Sequence, residues 1–247
     1  MSKNIRYITA FILLSFYSVS SQQKVLFVTS NQNTYGNTQK ATSNHFGEIV
    51  MAYDVFISHG YEIDFTSPNG GEIPLGYIKT KDPIHKKYLN DILFLKKVKE
   101  TLRPKDVVAK DYIAVYYSGG GAAMFGVPEN EEIQRISKTI YSNQGILSAV
   151  CHGTAGIVHI KNEKGEALYT GKKISGFPDM FENKEREYYK TFPFSIEKEV
   201  EKNGAKFRYS KKGWDNFFVV DGRIVTGQDP SSSSSVAQKV IEILKSK

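Results

Sequence analysis

Short continuous apolar runs alternate along this chain with stretches whose apolar residues recur at helical spacing. That alternation limits the fold more than any other feature. Residues 24–30 (KVLFVTS) read as a buried strand, 46–56 as a helix and 61–67 as the next strand. Gly60 ends the helix, and Pro68-Asn69-Gly70-Gly71 breaks the chain again. Strand character returns at 112–117 and 146–150, with an amphipathic helix over 129–142 between them. Repeated strand–helix–strand units predict an α/β fold, a mostly parallel sheet sandwiched by helices. Residues 72–105 are charged and weakly patterned and read as a surface excursion. Further on, an acidic helical stretch starts at Asp179, a helix covers 195–202, and 217–226 is a hairpin around Asp221-Gly222. One of the serines at 231–235 is expected to cap the helix that follows.

At 247 residues, with 40% apolar and 24% charged side chains, the chain suits one large domain over 21–247. Residues 1–20 differ in character. Lys3 and Arg6 precede the apolar run 7–16, and Ser18, Ser20 and Ser21 follow it, as in a cleavable signal peptide for export. The run is shorter than the roughly 20 residues of a spanning helix, so no stable membrane anchor is expected. With no cysteine near the cleavage zone, a lipoprotein anchor is excluded. The net charge of +7 comes from scattered lysines without interleaved aromatics, which gives no nucleic-acid footprint.

Cys151 is the only cysteine, so no intramolecular disulfide can form. It follows the strand 146–150 directly and precedes His152-Gly153-Thr154-Ala155-Gly156, a segment small enough to open a helix over 153–160. A nucleophile on such a strand-to-helix turn is pushed outward, with the next backbone amides facing the reacting atom. A helix N-terminus is also expected to lower the thiol pKa. The Ser118-Gly119-Gly120-Gly121 loop leaves the carboxyl end of another strand, where ligands gather in such sheets. The five histidines are dispersed, and no metal-ligand cluster is visible. His45, His59, His85 and His159 read as surface or packing residues.

Ser118-Gly119-Gly120-Gly121, Ala149-Val150-Cys151-His152-Gly153 and the closing run 221–232 (DGRIVTGQDPSS) together resemble the ThiJ/PfpI superfamily, the class I glutamine-amidotransferase-like proteins. The likeness is strongest to its branch of heat-shock chaperones and glutathione-independent glyoxalases, which share Gly176-Phe177-Pro178-Asp179. The resemblance implies a flavodoxin-like sheet and assigns Cys151 as nucleophile and His152 as its adjacent imidazole. Glu48 matches the carboxyl group on the thiol, and Glu182 the acid that orients the histidine, with Asp179 a close competitor. Gly120, Gly121 and the His152 amide match the oxyanion donors. Three positions depart from the pattern: Gly121 replaces a loop histidine, Gly126 an acidic residue near the following proline, and Thr154 a more usual Pro or Ala.

The activity implied is conversion of a small carbonyl substrate, a 2-oxoaldehyde such as methylglyoxal, to a 2-hydroxy acid without metal or organic cofactor. Two alternatives use the same residues differently: a Cys-dependent amidase or peptidase, and a non-catalytic chaperone or redox-stress protein. The resemblance also admits a homodimer.

Overall fold

The computed structural model describes residues 23–246, so the signal-like segment 1–20 lies outside the described residues. Six strands form one sheet: β1 (Lys24–Val28), β2 (Glu62–Thr66), β3 (Tyr112–Tyr117), β4 (Ile146–Val150), β5 (Phe218–Asp221) and β6 (Ile224–Gly227). Their order across the sheet is β2-β1-β3-β4-β6-β5. All neighbours are parallel except the β5–β6 hairpin. This is the flavodoxin-like order, with the helices divided between the two faces.

The helices are α1 (Phe46–Ser58), α2 (Pro83–Leu89), α3 (Ile92–Lys99), α4 (Glu131–Ser142), α5 (Ile196–Lys202) and α6 (Ser233–Lys245). One core joins α1, α2, α3 and α6 to the sheet through Phe27, Phe56, Phe94 and Val240. The other joins α4 and α5 through Leu26, Ile136, Ile140 and Val200. Both sheet faces are therefore covered, which is why the central strands are continuous apolar runs rather than alternating ones.

Several local expectations change. The segment after β4 is a 3₁₀ helix, Cys151–Ile157, rather than an α-helix. Residues 72–105 are only partly a surface layer. Tyr88 and Phe94 of that segment are buried against Tyr53, at ring distances of 5.2 and 5.1 Å, and Leu102 bridges to Thr66 at the sheet edge. In the hairpin, Asp221 pairs with Ile224, so Gly222 and Arg223 form the turn. Ser232 sits at the α6 N-cap but caps with no side-chain bond, because its hydroxyl donates to the Asp229 carbonyl at 2.7 Å. Asp229 instead caps the preceding 3₁₀ turn. The acidic stretch holds only one 3₁₀ turn, Asp179–Phe181, and one helical turn, Glu187–Lys190.

The chain leaves β1 toward β2 on one side and returns to place β3 on the other. The carboxyl ends of β1, β3 and β4 consequently open onto one crevice, where the glycine loop and Cys151 meet. Among the described residues, no helix is long and apolar enough to cross a membrane.

Candidate active site

Cys151 is the first residue beyond β4 and takes a left-handed backbone, φ 58°, which a side-chain-bearing residue rarely adopts. Only 4% of it is exposed. Its Sγ lies 3.5 Å from Nδ1 of His152, and the other ring nitrogen, Nε2, lies 2.7 Å from Oε1 of Glu182. Tyr188 donates its hydroxyl to the second Glu182 oxygen at 3.2 Å. Phe177 stacks on the His152 ring at 4.7 Å. With Glu182 accepting from Nε2–H, the Nδ1 lone pair faces the sulfur, ready to take its proton.

Asp179 does not compete for that place. It accepts from Ser195 Oγ at 2.6 Å and pairs with Lys184 at 3.1 Å.

Glu48 projects from the first turn of α1 and is fully buried. Its Oε2 accepts the Gly119 amide at 2.7 Å. A Cβ at Gly119 would lie 2.8 Å from that oxygen, so only glycine lets the loop approach the carboxyl. Oε1 makes no hydrogen bond of good geometry, with His45 Nδ1 4.0 Å away, and the Cys151 thiol engages the carboxyl group. Burial pushes the Glu48 pKa up to about 8, against the opposing pull of the Gly119 amide and the thiol.

Burial also pushes the Cys151 thiol well above its ordinary range, and the Glu48 charge adds to this. The His152 amide pulls the other way and loses. The expected lowering of the thiol pKa is thus overturned. The turn after Cys151 is a short 3₁₀ helix whose positive end does not offset desolvation by a closed core.

Two polar neighbours were not legible as site residues. His45 is the N-cap of α1, with Nδ1 accepting from the Glu48 amide at 3.2 Å, and it stacks on Tyr77 at 4.7 Å. Burial, with His85 and Lys79 nearby, pushes its pKa down to about 4, so it sits neutral at the cavity wall. Tyr35 stands against Gly121, where the family resemblance expects a loop histidine: a Cβ at Gly121 would come within 2.6 Å of its hydroxyl. A helix-cap signal ahead of Glu48 could have marked His45; nothing local marks Tyr35.

Cys151, His152, Gly120, Gly121 and Glu182 line one cavity of about 610 Å³. Glu48 is not among the residues lining it. Among the described residues no three His, Cys, Asp or Glu side chains come together as a metal site. The arrangement offers a buried sulfur, a histidine base oriented by a carboxylate, and a second carboxyl group that burial holds near neutrality.

A model of the DJ-1/PfpI family matches residues 45–243. Among curated proteins, the chain is 30% identical to "Glutathione-independent glyoxalase hsp3102" of Schizosaccharomyces pombe, covering 92% of this chain and 100% of that one. Among solved structures, glyoxalase III from Candida albicans is 31% identical with a TM-score of 0.82, covering 90% of this chain and 97% of its own. Rapid Encystment Protein 24 kDa of Francisella tularensis is 29% identical with a TM-score of 0.84, covering 90% and 99%.

Proposed function

This chain belongs to the DJ-1/PfpI family, and on that premise we propose that it is a glutathione-independent glyoxalase acting through Cys151. The substrate would be a 2-oxoaldehyde and the product the corresponding 2-hydroxy acid, with water as the only other reactant. The observation that carries this reading is the buried Glu48 carboxyl beside the thiol, its pKa pushed up to about 8. An enzyme that must move a proton between adjacent carbons needs a second acid–base group next to its nucleophile, with a pKa near the working pH.

In the proposed sequence, the sulfur adds to the aldehyde carbon as His152 Nδ1 takes the thiol proton. The carbonyl oxygen takes the proton of the Glu48 carboxyl, giving a hemithioacetal and leaving Glu48 as the carboxylate. Glu48, as carboxylate, removes the hydrogen from that carbon and returns a proton to the neighbouring carbon, so the first is oxidised and the second reduced. The resulting thioester is hydrolysed by water, releasing the 2-hydroxy acid and the thiol. Gly120, Gly121 and the His152 amide would hold the developing oxyanion. A thiol that stays protonated at rest suits an aldehyde, which is a strong electrophile, better than an amide.

The Cys151–His152–Glu182 line also supports a second reading, a cysteine amidase or peptidase. That chemistry has no use for the raised Glu48 carboxyl. We further propose export, supported by the composition of residues 1–20, with 21–247 as the working domain. Sequencing the N-terminus of protein recovered outside the cytosol tests this; an intact leader on cytosolic protein would refute it.

The deciding experiment is loss of methylglyoxal with detection of lactate, on purified protein without added thiol, beside Cys151→Ala and Glu48→Gln. Turnover in the parent that both variants lose is the expected result. No turnover with Cys151 reduced sinks the reading, and cleavage within a peptide panel would establish the amidase instead.

A further inference from the structure

The cavity above Cys151 is far roomier than a three-carbon aldehyde requires, and its walls are rings. At about 610 Å³ it falls in the range of pockets that enclose much larger ligands. On one side Phe177, Phe181 and Trp214 pack together, with ring centroids 5.6 to 6.2 Å apart. On the other, Tyr35, Tyr188 and Phe192 do the same. Its lining carries two residues with charged side chains besides the histidines, Lys79 and Glu182, and Glu182 already has both oxygens committed, to His152 and Tyr188.

Trp214 is the informative member. It is 60% exposed, an unusual state for the largest apolar side chain of a folded domain. Its backbone is left-handed, φ 46°, between Gly213 at 66° and Asn216 at 61°. Non-glycine residues hold such angles only where the surroundings over-determine them. Here the Trp214 amide donates to Oδ2 of the buried Asp229 at 2.8 Å, and the Asn216 amide to Ser231 Oγ at 2.9 Å. A Cβ at Gly213 would meet the Phe181 ring at 2.8 Å, so the turn is set hard against that ring. The fold holds a strained turn in place and leaves an indole at the cavity mouth.

Building on the oxoaldehyde reading above, we infer that the preferred substrates are arylglyoxals, 2-oxoaldehydes whose keto carbon carries a planar aromatic ring, and that Trp214 and Phe181 receive that ring. The reaction balances as before: the aldehyde carbon is oxidised, the keto carbon reduced, and water supplies the carboxylate oxygen, so phenylglyoxal gives mandelate.

The test compares kcat/KM for phenylglyoxal and methylglyoxal, by mandelate and lactate release, in the parent, Trp214→Ala and Trp214→Phe. Phenylglyoxal should be favoured about tenfold or more in the parent. Trp214→Ala should lower that ratio by about tenfold, chiefly through KM for phenylglyoxal, and Trp214→Phe should restore most of it. Methylglyoxal turned over equally well or better, or a ratio unmoved by Trp214→Ala, overturns the inference and leaves the oxoaldehyde reading standing. Turnover of neither aldehyde overturns both.

Discussion

The Gly119 amide donates to Glu48 Oε2 across 2.7 Å of closed core, and the same carboxyl group engages the Cys151 thiol. One backbone bond thus aims a carboxyl at a sulfur, and burial raises the pKa of both groups. Since a carboxylate next to a thiolate would be two like charges in a low-dielectric pocket, the resting pair keeps its protons.

The stability that Glu48 contributes should therefore fall with rising pH. The Glu48 pKa goes from 4.5 to about 8 on folding, so the folded state binds the extra proton between those values. The contribution is complete below pH 4.5 and lost as pH rises through 8, on the order of 5 kcal/mol. Urea unfolding of Glu48→Gln should lack this slope. A parallel slope in both proteins would mean the carboxyl is ionised in the fold.

The thiol should react slowly. Each unit of upward pKa displacement lowers the thiolate fraction about tenfold, so iodoacetamide labelling of Cys151 at pH 7 should be at least tenfold slower than that of free cysteine. In Glu48→Gln the labelling at pH 9 should accelerate, because no carboxylate then opposes the thiolate. Fast labelling of the parent at pH 7 would show a preformed thiolate.

Glu182 is predicted to act through His152. Glu182→Gln keeps an acceptor for Nε2–H but removes the charge that stabilises the imidazolium formed on attack. Turnover of methylglyoxal should fall about 10-fold to 100-fold in kcat with KM nearly unchanged, and about 10²-fold to 10⁴-fold in His152→Ala. Parental kcat in Glu182→Gln would reduce Glu182 to a packing partner of Tyr188.

His45 contributes an acid limb. Its folded pKa of about 4 lies below the ordinary 6.5, so the unfolded state binds the extra proton. The stability it allows is complete above pH 6.5 and declines as pH falls toward 4, by about 3 kcal/mol. Thermal melts of His45→Gln between pH 7 and 4 should show a shallower decline than the parent; equal declines would place the acid sensitivity elsewhere.

The sheet was legible because buried parallel strands are uninterrupted apolar runs, as in Val25-Leu26-Phe27-Val28 and 146–150. Cys151 stood out for the same reason: a strand ends and small residues begin at that point. Glu48 is different. On a helix of mixed residues its spacing resembles that of any surface acid, and only the family resemblance singled it out. His45 carried only a cap position ahead of Glu48, and Tyr35 and Trp214 were invisible as site residues. Tyr35 and Trp214 reach the cavity from separate loops and His45 from the start of α1, and their meeting depends on tertiary closure that no local pattern encodes. The 3₁₀ turn after Cys151 was read as an α-helix because small residues such as Gly153, Thr154 and Ala155 suit either ladder.

The left-handed backbone at position 151 has a consequence for redesign. The direction of the Cα–Cβ bond there is imposed by the main chain as it leaves β4, not chosen by a side-chain rotamer. Whatever residue stands at 151 inherits the same aim into the cavity. The fold therefore behaves as a socket at this point: the Cβ of a replacement such as serine is already directed, and only its χ1 rotamer is left to place the reactive oxygen.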